Sequence, residues 1–211
     1  MKLFHYHFWT DRVEETESYY RRLGFQVEGR YAMEKGTVTP YHPPLEWDDF
    51  RENALIFRII EVRKGNINIT FGAGKKPIFD HIGYLVTDEE LKQLCNRADV
   101  MGWKTEAGAR RTFIYTPYRF KIELQTRKDA VDGGDGSLAR LVIASPDEAF
   151  ERGLERLFHR EMEEISFVQG AQFHLQEVFM EGVEGSSKDP NKVIVTGLNG
   201  EKGLSKKSVS C

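Results

Sequence analysis

Cysteine is scarce in this chain. Of 211 residues only Cys95 and Cys211 carry thiols, too few for a disulfide framework, and a reducing, cytoplasmic setting fits. Long apolar runs are also missing, and no basic segment near the start leads into one. The sequence therefore predicts neither a signal peptide nor a membrane span. No block of lysine and arginine stands out either. The 30 basic and 33 acidic residues nearly cancel to −3, so nucleic acid is not the expected partner. What the chain does have is apolar mass: hydrophobic residues are 40% and aromatics 12%, enough for a substantial core at this length.

The strongest pattern is an internal repeat. LGFQVE at Leu23–Glu28 matches MGWKTE at Met101–Glu106 in type and order. Each follows an amphipathic stretch, and each stretch follows an apolar run ending in Thr-Asp, at Trp9–Asp11 and Val86–Asp88. In the first unit the spacing predicts a strand over Leu3–Trp9, then a helix from Arg12 to Leu23 capped by Asp11 and ended by Gly24. Val13, Tyr20 and Leu23 are its expected buried stripe. Strands are expected at Phe25–Met33, Leu55–Val62 and Asn66–Phe71, with a long loop over Thr37–Phe50. The second unit predicts a strand from Phe79, a helix over Asp88–Ala98, and strands at Trp103–Ala107, Arg111–Thr116 and Phe120–Thr126.

Polar, glycine-rich Lys128–Ser137 reads as a linker. After it, Leu138–Ala144 alternates as a strand, a helical stripe runs from Ala149 to Phe158, and three more strands follow. The division is thus 1–76, 77–127, a linker at 128–137, a third unit at 138–198 and a polar tail at 199–211. The class is α+β, built from tandem βαβββ modules.

Three such units, two sharing a signature, resemble the vicinal oxygen chelate superfamily, which includes glyoxalase I, bleomycin-resistance proteins, fosfomycin-resistance enzymes and extradiol dioxygenases. TDRVEETESYYRRLGFQV at Thr10–Val27 is similar to the superfamily's first helix and following strand. FDHIGYLVTD at Phe79–Asp88 is similar to its second-module opening, and YTPYRFKIELQ at Tyr115–Gln125 to its final hairpin. This chain lacks the Asp before that hairpin's proline and the glycine after it. The resemblance implies that the first two modules pair into a curled-sheet cup. It also implies a divalent metal held by a His from each module's first strand and a Glu from the second module's last strand. Those positions fall on His5 or His7, on His81 and on Glu123. Asn68 stands in the first module where the second has Glu123, which implies one metal site per module pair.

Such a triad leaves coordination positions open, which suits Fe(II), with Mn(II), Ni(II) or Zn(II) as alternatives. Each residue also has a plainer role. His81 fits a buried, hydrogen-bonded histidine, and Glu123 a salt bridge to Arg119 or Arg127. His5 and His7 fit an aromatic-rich core strand, with Phe4, Tyr6 and Phe8 under the helix and His5, His7 and Trp9 facing the cavity. His5 matches His81 better in its spacing to the helix, which leaves His7 as an acid/base or orienting group. Tyr115, near Glu123, is a candidate to hydrogen-bond a developing oxyanion, or else a rim aromatic. His42, Glu46 and Trp47 either cap the pocket or stiffen their loop.

Two functions follow from the resemblance. One is a metal-dependent enzyme, dioxygenase- or glyoxalase-like, acting on a small substrate with adjacent oxygens. The other is a metal-free protein that sequesters a ligand or drug. The spare third module must bury its open face, by pairing in a homodimer or by covering the first two.

Overall fold

In the computed structural model, residues 1–53 and 55–198 are described; the polar tail and Cys211 lie outside them. The alternating N-terminal stretch forms strand β1 (Lys2–Thr10). It leads into helix α1 (Val13–Arg22), whose N-cap position is Arg12 rather than the expected Asp11. Arg12, at φ −130° and ψ 51°, is not yet helical, so Asp11 lies too early to reach the first free amides. The Thr10 hydroxyl instead accepts from the Arg12 amide at 3.0 Å. Gly24, at φ +85°, takes the left-handed position that ends the helix. Thr16, Glu17, Tyr19 and Tyr20 are the buried residues of α1, while Val13 and Leu23 pack at the edge of the core.

Strands β2 (Gln26–Glu34), β3 (Thr37–Pro40), β4 (Ile56–Lys64) and β5 (Ile67–Ala73) complete the first unit. The loop expected over Thr37–Phe50 thus contains a short strand, hairpinned onto β2. The second unit runs β6 (Ile78–Leu85), α2 (Asp88–Val100), β7 (Lys104–Ala107), β8 (Thr112–Tyr115) and β9 (Lys121–Gln125). Thr87 caps α2, its side chain accepting from the Glu90 amide while the Glu90 carboxylate accepts from the Thr87 amide. All nine strands form one sheet, ordered β3-β2-β4-β5-β1-β6-β9-β8-β7. In each unit the last strand runs parallel to the first, and antiparallel β1 and β6 join the two units.

The β1–β6 ladder is irregular at two places. Its register skips Phe4 on β1 and Asp80 on β6, while His7 pairs with His81 and His5 with Gly83. Such bulges re-aim side chains. Phe4 was expected under the helix with Tyr6 and Phe8; it lines the cup beside His5 instead, because the skipped pairing breaks the alternation.

Lys128–Ser137 is pinned rather than free. The Asn66 amide donates to the Gly136 carbonyl, and the Asp132 amide to the Gly65 carbonyl. The strand–helix–strand order expected beyond it holds: β10 (Ser137–Ser145), α3 (Ala149–Phe158), β11 (Ile165–Gln169), β12 (His174–Glu181), β13 (Ser186–Lys188) and β14 (Ile194–Leu198). The pairing is of a different kind from that within one module. The order β11-β10-β12-β14-β13 reproduces β5-β1-β6-β9-β8, with the same parallel and antiparallel sense at each step. Even the two bulges recur, at Ala139 and Gln176. The second sheet is therefore a shortened version of the whole module pair.

The second sheet packs on the helix-bearing side of the first, leaving the cup open. One apolar cluster runs through both, from Tyr6, Ile82 and Tyr84 to Leu141, Phe158 and Val178. Polar clamps cross the same seam: the Tyr84 hydroxyl donates to Glu164 at 2.8 Å, and Arg97 Nε to the Leu157 carbonyl at 2.6 Å.

Inside the first unit, Glu17 and Arg30 are both fully buried and paired through two hydrogen bonds of 2.6 and 2.7 Å. Arg30 Nη1 also donates to the Leu45 carbonyl, tying the Thr37–Phe50 segment to the helix. Removing one partner strands a buried charge. Glu17→Ala should therefore lower the unfolding free energy by about 3–5 kcal/mol in urea titration. A loss under about 1 kcal/mol would show that the pair is not buried as described.

Candidate metal centre

Three buried donors meet on the cup face of the β1–β6–β9 strands. His5, His81 and Glu123 each present one donor atom, and these atoms lie within 4.8 Å of one another. His5 Nε2 is 3.2 Å from His81 Nε2, and His81 Nε2 is 3.5 Å from Glu123 Oε2. Gly83 makes room for this. A Cβ there would lie 2.9 Å from the His5 Cβ, so any side chain would drive the His5 imidazole away.

The outer nitrogens fix how the rings present themselves. His5 Nδ1 lies 2.9 Å from the Asn68 carbonyl oxygen and 3.1 Å from its side-chain oxygen. Both are acceptors, so Nδ1 carries the proton and Nε2 the lone pair. His81 Nδ1 donates to Asp80 Oδ2 at 2.7 Å, which leaves its Nε2 facing the same point. The bulge at Asp80 is what turns that carboxylate toward the ring of its own neighbour. Lys121 Nζ lies 2.6 Å from the same Asp80 oxygen.

Burial and charge tune the groups in opposite directions. Burial pushes the His5 imidazole from its ordinary 6.5 down to about 4, against the pull of Glu123 and with His81 and Arg111 adding to the shift. His7 is lowered by burial in the same way. For Glu123 burial works against ionisation, but His81, His5 and Arg111 outweigh it and hold the carboxyl at about 2. Asp80 also stays well below the usual carboxylate range, because hydrogen bonds from His81 and Lys121 overcome its burial.

An imidazole kept neutral by burial at His5, the inner nitrogen of His81 facing it and an ionised carboxylate fit a divalent cation. Two ligands about 2.1 Å from an ion and at right angles to each other are about 3.0 Å apart, close to the spacing of the two Nε2 atoms. Without a cation or proton between them, two buried lone pairs face each other, an arrangement that folding does not favour.

His7 stands apart from this trio. Its Nδ1 is 2.7 Å from the Thr70 hydroxyl, its ring stacks on His81 at 4.9 Å, and Trp9 packs edge-on at 4.8 Å. Tyr115 is half-buried on the same sheet but against the Lys104 ammonium, 5.1 Å from its ring, and outside the cup's cavity. Glu46 pairs with Arg21 and Trp47 packs on Phe57, so this loop stiffens its own module. Glu123 takes its salt bridge from Arg111, at 3.1 Å, rather than from Arg119 or Arg127.

Asp80, Gly83 and Arg111 are the site residues that sequence reasoning missed. Asp80 directly precedes His81, but only the bulge makes adjacency mean contact. In the second sheet, the register places Arg140, Glu177 and Thr196 where the first has His5, His81 and Glu123. That set holds no imidazole, and the Thr196 hydroxyl donates to Glu177 at 2.9 Å. Among the described residues, only the first cup gathers a metal-type cluster.

The pH dependence of stability follows from His5. Between about pH 4 and 6.5 the unfolded chain protonates this histidine and the folded chain does not, so the unfolded state binds more protons. With chelator present, stability should fall as pH drops through this window. His5→Gln should flatten the slope in urea titrations. An unchanged slope in that variant would contradict the assignment.

Comparison with known proteins comes through structure. Neither the protein-family models nor the curated proteins yield a match to the sequence. The 2,3-dioxygenase LapB from Pseudomonas sp. KL28 superposes with a TM-score of 0.63 at 12% identity, covering 93% of this chain and 91% of that one. Homoprotocatechuate 2,3-dioxygenase from Arthrobacter globiformis gives 0.62 at 14% identity, over 94% and 80%. The Mn(II)-bound glyoxalase from Novosphingobium aromaticivorans gives 0.59 at 9% identity, over 85% and 65%. With its paired βαβββ units curled around one cup, this chain has the vicinal oxygen chelate fold that these extradiol dioxygenases and this glyoxalase share.

Proposed function

We propose that this chain is a divalent-metal-dependent enzyme acting on a small substrate with two adjacent oxygens, with the ion held by His5, His81 and Glu123. The observation that carries the reading is the convergence of two imidazole nitrogens, 3.2 Å apart, beside an ionised carboxylate. A bound ion would supply Lewis acidity and open positions for neighbouring oxygens; the donor set suits Fe(II), and Mn(II), Ni(II) or Zn(II) are compatible with it. The dioxygenase and glyoxalase neighbours support that class of chemistry.

The rest of the site prepares those donors. Asp80 and the Asn68 carbonyl aim the two imidazoles by holding their outer N–H groups. His7, stacked on His81 and anchored to Thr70, is a positioning residue in this reading rather than an acid or base, and Tyr115 is a rim aromatic. Phe4 and Tyr31 wall the cavity and exclude water around a bound ring. All three donors come from one chain, so a single copy supplies the whole set. The free Cys95 suits a reducing, cytoplasmic setting.

Elemental analysis tests this directly. Protein loaded with Fe(II) or Mn(II) should retain close to one equivalent, and His81→Ala or Glu123→Ala should lose it. Asp80→Asn should weaken the metal affinity by about 10–100-fold, since an outer partner of a ligating histidine contributes that much. Oxygen uptake with a catechol then separates a dioxygenase from glyoxalase-like chemistry. Well under one equivalent after loading, or unchanged retention in both ligand variants, would overturn the reading and leave the metal-free sequestering protein.

A further inference from the structure

The cavity that His5 and Glu123 line, about 270 Å³, is ringed by arginine. Arg58 and Arg63 come from β4, Arg110 and Arg111 from the turn between β7 and β8, and Arg127 from the segment just after β9. Strand β4 is separated from β8 by β5, β1, β6 and β9, so these residues share one cavity only because the sheet curls. The chain as a whole is slightly acidic, at −3, so the concentration of cations here is local.

The ion pairs divide this cluster. Arg63 is buried and pairs with Glu61, and Arg127 pairs with Asp129. Arg111 donates to Glu123. Arg58 and Arg110 have no salt bridge or hydrogen-bonding partner among the described residues. Arg58 is held instead by its guanidinium lying over the Trp9 ring, 5.2 Å from the centroid. If Glu123 serves a metal, Arg111 loses its partner as well. Guanidinium groups facing a cavity from two walls make a site for an anion, because each can offer paired N–H donors to a carboxylate or phosphonate. Between them lie Phe4, Tyr31, Val38 and Ile59, an apolar lining suited to a ring.

We infer that the substrate carries an anionic group, a carboxylate or phosphonate, on an apolar ring-sized body, held by Arg58 and Arg110 while its adjacent oxygens point to His5, His81 and Glu123. This rests on the proposed function for the position of the oxygens but not for the anion itself. The two can therefore fail separately.

The test has two arms. In metal-free protein at low salt, benzoate and phenylphosphonate are titrated against neutral benzyl alcohol, following tryptophan fluorescence, since Trp9 lies under Arg58. Saturable binding of either anion, weakened by salt and absent with benzyl alcohol, is expected. In metal-loaded protein, 3,4-dihydroxybenzoate should bind at least about tenfold more tightly than 4-methylcatechol, the scale of one charged hydrogen-bonded contact. The Arg58→Gln, Arg110→Gln double variant should reduce that preference to within about twofold, with metal content and melting temperature unchanged. Equal affinity for charged and neutral probes in the wild type, or a preference that survives in the double variant, would overturn the inference. Should the protein fail to hold metal yet bind benzoate through these arginines, the anion site stands and the metal reading falls.

Discussion

Where β1 runs against β6, the ladder skips Phe4 on one strand and Asp80 on the other, and between those two irregularities the three buried donors are brought together. One skip turns Phe4 into the cavity wall. The other swings the Asp80 carboxylate onto the outer nitrogen of His81. Gly83 lets the His5 ring lie flat across the opposite strand, where a Cβ would collide with it. A regular ladder would put Phe4 under the helix and point Asp80 away from the site. The donor geometry therefore depends on a local departure from β regularity, supported from behind by the continuous core of both sheets.

That support explains the shape of the rest of the chain. Two imidazoles at 2% and 5% exposure require the surrounding structure to fix them. The second sheet provides it by packing β10 and β12 against the back of β1 and β6, with α3 beside α2. It does so with the same order, sense and bulges as the first sheet, but with Arg140, Glu177 and Thr196 at the donor positions. The same backbone plan thus appears twice, once with metal-type donors and once without. The chemistry lies in which side chains occupy the plan rather than in the plan itself.

Much of this could be read from sequence where the signal is local. The Leu/Met-Gly-aromatic repeat marked two helix ends, because a left-handed glycine followed by a buried aromatic leaves a compact trace. His5, His81 and Glu123 could be named through the resemblance to a known superfamily, and the structure brings those three together. What stayed hidden was non-local. The buried Glu17–Arg30 pair, the Asp80 contact with His81 and the arginines around the cavity depend on which strands meet and in what register. The third unit shows the limit most clearly. Its element order resembles one module, and only hydrogen-bond partners reveal two modules in shortened form. Asp11 shows a smaller limit: an acceptable cap residue does not cap when the helix begins one residue later.

The central claim is that His5 and His81 ligate the same ion alongside Glu123. X-ray absorption spectroscopy of the Mn(II)- or Fe(II)-loaded protein reads this without reference to activity. The account predicts an ion with two imidazoles among its nearest neighbours, at about the 2.0–2.2 Å typical of metal–nitrogen and metal–carboxylate bonds, and one imidazole fewer in His5→Ala. A bound ion with no imidazole neighbours, or with an identical spectrum in His5→Ala, would contradict it.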